Sequence, residues 1–137
     1  MNVEFDEKDQ VIADQKIVER EKISGPRIGD FVRFPAGEIE RISHDWGDSV
    51  QTSPVGAGSF YLSYEGNASF SGGLNPSIPK DSLRETDEIR KATFWFFHHD
   101  WAGADRGVRF EAPCRVFETT APYEGFMSYH KEWKCDE

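Results

Sequence analysis

The sequence predicts a mainly β domain, a small antiparallel barrel or sandwich with little helix, and three observations carry that reading. Apolar and polar residues alternate in short segments between Phe31 and Phe117, and clusters of Gly, Pro, Asn and Asp separate those segments. Aromatic residues make up 14% of the chain, with 11 phenylalanines among them. Aromatic side chains suit the pleated, half-buried surface of a sheet, and closely spaced turn residues divide a chain into hairpins. Roughly six to eight strands are expected. A chain of 137 residues makes one domain with a core large enough to hold without cross-links. Its expected parts are a charged N-terminal segment (1–24), a β domain (25–120) and an aromatic C-terminal tail (121–137) that docks on it.

In the first part, Val11, Ile12, Ile17, Val18 and Ile23 stand in dense charge. Their pairs recur at a spacing that fits neither a helical stripe nor strict alternation, so a helix and an edge strand are both open. Ser24-Gly25-Pro26 ends the segment. Phe31-Val32-Arg33-Phe34 then reads as a strand, Phe34-Pro35-Ala36-Gly37 as a turn, and Ile39 to His44 as the returning strand. After the turn Asp45-Trp46-Gly47-Asp48, Ser49 to Thr52 supplies a third strand, which completes a meander.

Ser59 to Tyr64 alternates with Phe60, Leu62 and Tyr64 on one face. A three-residue loop of Glu65, Gly66 and Asn67 would pair Tyr64 with Ala68 and Leu62 with Phe70, with Asn67 in the left-handed conformation. Ser82-Leu83-Arg84-Glu85 has the form of a helix capping box, and a charged extended lead-in competes with a helix over residues 82–91. Thr93 to His99 is the densest apolar stretch. Alternation puts Trp95 and Phe97 on one face and Phe94 and Phe96 on the other, which predicts a central strand buried on both sides. Pro113 interrupts the next segment, so Cys114 to Glu118 resumes as an edge or bulged strand. In the tail, Tyr123, Phe126, Tyr129 and Trp133 are spaced to share one helical face, although Gly125 lies in the run.

The tripeptide His-Asp-Trp occurs twice at a turn, as His44-Asp45-Trp46-Gly47-Asp48 and as His99-Asp100-Trp101 followed by Asp105-Arg106 after a short loop. In one version of such a turn, Asp accepts backbone N–H bonds and Trp covers the core. In the other, Trp lies exposed beside carboxylates and imidazoles, a surface suited to a ligand or a protein hot spot. The expected contact residues are therefore Asp45, Trp46, Asp48, His99, Asp100, Trp101, Asp105 and Arg106.

The net charge of −9 opposes general nucleic-acid binding, because such proteins must neutralise phosphates. It suits a protein partner with a basic surface. Met1 to Glu7 lacks the basic and apolar regions of a secretion signal, and no apolar run has membrane-spanning length. A cytoplasmic protein with reduced thiols at Cys114 and Cys135 follows. Cys114, within a strand, reads as a small core residue.

No nucleophile elbow, phosphate loop, zinc-finger spacing or His-Glu-x-x-His motif is present. No metal site, cofactor or catalytic residue is assigned. The function expected is a non-catalytic module that binds a protein partner, as an inhibitor or titrating protein. One alternative is a small polar ligand, a nucleotide or sugar, in a Trp-lined pocket. The other is a metal-dependent enzyme that uses His44, His98 or His99.

Overall fold

The computed structural model describes residues 7–72, 76–99 and 105–123, with the backbone alone at 98, 99, 105 and 106. Helix α1 (Glu7–Glu21) precedes β1 (Phe31–Arg33), β2 (Ile39–Asp45), β3 (Ser49–Pro54), β4 (Gly58–Leu62), β5 (Ala68–Gly72), β6 (Ser77–Pro79), β7 (Leu83–His99) and β8 (Asp105–Thr119). All eight strands join one sheet in the order β5-β4-β7-β8-β1-β2-β3-β6, mainly β as expected but not closed into a barrel. Neighbours run antiparallel except β1 with β8 and β4 with β7, which are parallel. The sheet bends over itself. Arg41 on β2 lies 3.8 Å from the ring centre of Phe60 on β4, although three strands separate them in the sheet order.

Two apolar clusters result. Phe31, Phe60, Leu62, Phe94, Phe96, Val108, Phe110 and Cys114 fill the concave side, with Ala13 of α1. Val32, Phe34, Ile42, Val50 and Ile78 form the second cluster. Strand β1 serves both because the adjacent Phe31 and Val32 point to opposite faces. The buried Cys114 is a free thiol.

The central strand departs from expectation. Phe94 and Phe96 are fully buried, but Phe97 is 63% exposed. β7 is central in the order of strands, yet the bent sheet and α1 cover only one of its faces. On the other, Phe97 stacks on Tyr61 of β4 at 5.4 Å. Residues 82–91 are not helical beyond a single 3-10 turn at Lys80–Ser82. From Leu83 the chain is extended, with a register irregularity between Glu85 and Ile89.

Pro113 does not break β8, nor is β8 an edge strand. The pairing with β1 begins only at Val116. The N–H of Arg115 points away from β7, to the carboxylate of Asp30 at 3.1 Å. Two residues earlier the nitrogen faces the same way, so the proline there removes no ladder bond.

The β4–β5 hairpin pairs Leu62 with Ala68 and Phe60 with Phe70, two residues away from the expected register and on the same faces. The turn is Ser63 to Gly66, closed by the Gly66 N–H to the Ser63 carbonyl at 3.0 Å, and Gly66 takes the left-handed conformation in place of Asn67. Glycine meets that demand without steric cost. It also admits α1, since a Cβ at Gly66 would lie 2.3 Å from the Arg20 nitrogen.

Helix α1 docks with its charged side inward. Asp9, Ala13, Lys16 and Arg20 are buried, at helical spacing, whereas Val11 and Val18 are exposed. Lys16 donates to the Leu62 carbonyl at 3.2 Å and lies 4.0 Å from the Tyr64 ring centre, and Arg20 lies 4.8 Å from that of Phe94. Cation–π contact and buried aliphatic stems thus add to the narrow apolar edge of Ile12, Ala13 and Ile17.

At the end of the described chain, Tyr123 sets its ring edge-on to Phe34 and donates to the buried Glu40 at 2.7 Å. Thr52 donates to the other oxygen of Glu40 at 2.6 Å. Burial and the bond to Glu40 push the Tyr123 hydroxyl up to about 12. Because the folded value exceeds the unfolded one, this stabilisation is complete below pH about 10 and is lost as pH rises through the folded value. With the exposure of the ring discounted, it amounts to about 1 kcal/mol. Alkaline denaturation curves will show that loss in the wild type and not in Tyr123→Phe. Phe126, Tyr129 and Trp133 lie outside the described residues, as does Cys135.

Candidate functional site

The first His-Asp-Trp turn connects β2 to β3 and combines features of both expected versions. Asp45 caps it, accepting the Gly47 N–H at 2.9 Å and pairing with Lys80 at 2.9 Å. Partial burial works against ionisation there, but the Gly47 bond and Lys80 outweigh it and hold the carboxyl below its ordinary range. Trp46 is no lid. It is 59% exposed, stacked on the His44 imidazole at 5.5 Å, with its indole N–H donated to Gln51 at 2.8 Å. Asp48 shapes the turn through its backbone carbonyl, which accepts the Lys80 N–H at 2.8 Å.

The second turn belongs to the β7–β8 hairpin, where the backbone pairs His98 with Arg106 and His99 with Asp105. Asp100 and Trp101 lie outside the described residues. The two turns sit on separate hairpins with β1 between them in the sheet. Among the described residues no group of three or more His, Cys, Asp or Glu side chains is placed to hold a metal ion.

The structure adds two features that sequence reasoning assigned to the core or to the solvated surface. One is an outward aromatic face. Tyr61 and Trp95 are paired in register across β4 and β7, and Phe97 continues the row. Alternation had put Trp95 and Phe97 on a shared face correctly, but nothing in the residues themselves marks that face as the uncovered one.

The other is a cluster of cations within the fold. Asp30 is fully buried and receives Arg20 Nη2 at 3.2 Å, Arg27 Nη2 at 3.0 Å and Arg27 Nε at 3.0 Å. Arg41, only 6% exposed, has no such partner. Its Nε donates to the Gly29 carbonyl at 2.9 Å and its Nη1 to the Thr93 carbonyl at 3.2 Å, while Nη2 is buried without a hydrogen bond. Burial pushes Arg41 down to about 10 and the neighbouring Cys114 thiol up.

Arg41 borders a cleft. Strands β4 and β7 pair only at Tyr61 and Trp95, and where they separate a cavity of about 230 Å³ opens, lined by Arg41, Phe60, Lys91, Thr93 and Trp95 among others. The cleft brings the Arg41 and Lys91 cations together with the Phe60 and Trp95 rings, the composition of an anion-binding site. No protein-family model matches this chain, and no curated protein or solved structure shows significant similarity to it.

Proposed function

We propose that this protein is a small acidic, non-catalytic module that binds a protein partner in the cytoplasm and inhibits or titrates it. The contact surfaces in this reading are the outward aromatic face of β4 and β7 and, on a separate hairpin, the exposed Trp46 turn. The observation that carries it is Phe97, a large apolar side chain 63% exposed and stacked on Tyr61 beside Trp95. Large exposed aromatics grouped on one sheet face are the residues that most often anchor protein contacts. The net charge of −9 supports a partner with a basic surface, approached faster at low salt. A free thiol at Cys114 supports a reducing compartment.

The test is capture of the partner from the native host with the tagged protein, followed by affinity measurement on Phe97→Ala and Trp46→Ala. Each variant is expected to keep its melting temperature within a few degrees and to weaken binding by about 2 kcal/mol. Full affinity in both variants would rule out this face and this turn as the contact surface.

A further inference from the structure

We infer that the cleft between β4 and β7 binds a small organic oxyanion, a carboxylate or phosphate carried on a flat apolar body, with Arg41 as its buried counter-charge. The inference is independent of the proposed protein partner. It starts from a charge imbalance. A guanidinium held away from water needs an anion, or at least a full set of acceptors. Asp30 is engaged by Arg20 and Arg27. Arg41 forms no ion pair among the described residues, and two backbone carbonyls take its Nε and Nη1.

Those two bonds do more than satisfy donors. They fix the plane of the guanidinium, and the Phe60 ring 3.8 Å from its carbon supports it from one side. The guanidinium that lines the cleft is therefore already immobilised, with its Nη2 enclosed, so an oxyanion arriving beside it would cost little further ordering. Lys91 on the cleft wall adds a second, solvated cation.

Size and lining then restrict the ligand. A cavity of about 230 Å³ is smaller than pockets for drug-sized molecules, which hold roughly 300–1,000 Å³. It admits one ring and one anionic group. Trp95 on the wall offers a flat surface for that ring, and stacking would separate such ligands from inorganic anions.

Calorimetric titration of the full chain with benzoate, phenyl phosphate and inorganic phosphate tests this. One of the two organic anions is expected to bind with Kd below about 1 mM, and phosphate alone at least about tenfold more weakly. Tighter binding of benzoate assigns a carboxylate ligand, and tighter binding of phenyl phosphate a phosphate. Arg41→Met should abolish binding. Should that variant fail to fold, the exposed Lys91→Glu still decides, because reversing the charge at the cleft should weaken binding by about tenfold or more. Absence of binding by either organic anion at about 10 mM would overturn the inference, since that corresponds to under 3 kcal/mol. Equal affinity for inorganic phosphate, or unchanged affinity in Lys91→Glu, would overturn it as well.

Discussion

Asp30→Ala is expected to lose about 3–5 kcal/mol of stability, the range for removing one partner of a buried ion pair. One carboxylate here joins three parts of the chain. Its oxygens receive Arg20 from α1, the side chain and backbone N–H of Arg27 from the loop before β1, and the backbone N–H of Arg115 from β8. Without it, two buried guanidiniums face each other with only Glu21, 3.5 Å from Arg27, as a counter-charge, and repulsion adds to the lost bonds. Asp30→Asn keeps the shape and some of the bonds, so it should fall between wild type and alanine. Urea denaturation followed by circular dichroism measures both. A loss below about 1 kcal/mol for alanine would mean that the carboxylate only breaks even against its own desolvation.

The second large effect separates adjacent residues. Phe96→Ala should cost about 3–5 kcal/mol, because the ring is fully enclosed and its removal leaves a cavity. Phe97→Ala, on the exposed face, should cost under about 1 kcal/mol. Phe96 meets the ring of Phe110 at 5.4 Å and lies under Lys16 of α1, so its loss also loosens the helix. Equal costs for the two variants would show that the outer face of β7 is covered in solution. That result would remove the contact surface proposed for a partner.

The strands of the meander, Phe31 to Pro54, were legible because alternation and turn residues are local signals. The β4–β5 faces were legible for the same reason. The register of that hairpin was not, because Gly66 competes with Asn67 for the left-handed position and also answers to α1, a distant segment. Helix α1 was ambiguous since three of its four buried residues are Asp9, Lys16 and Arg20, which any pattern rule reads as solvent-facing. The same rule hid Arg41 and with it the cleft. Burial of Phe97 was expected from four consecutive aromatics, yet which face of a sheet is covered depends on how the sheet bends, and that is a property of the whole chain. Of the expected contact residues, the turn at Asp45, Trp46 and Asp48 was placed correctly as a turn between strands.

The order of strands has a consequence for how the chain acquires its structure. In the hydrogen-bonded order β1, β2 and β3 lie on one side and β4 and β5 on the other, and the hairpin of β7 and β8 pairs with both groups. Phe31 is paired with Val116, and Tyr61 with Trp95. Each parallel contact must wait for a large loop to close, which is slow relative to forming a hairpin. During synthesis the two early groups of strands emerge first, and their pairing into one sheet waits until residues 83–119 have left the ribosome. The last long hairpin then enters between them as a keystone, and the cluster to which it contributes Phe94, Phe96, Val108 and Phe110 forms last.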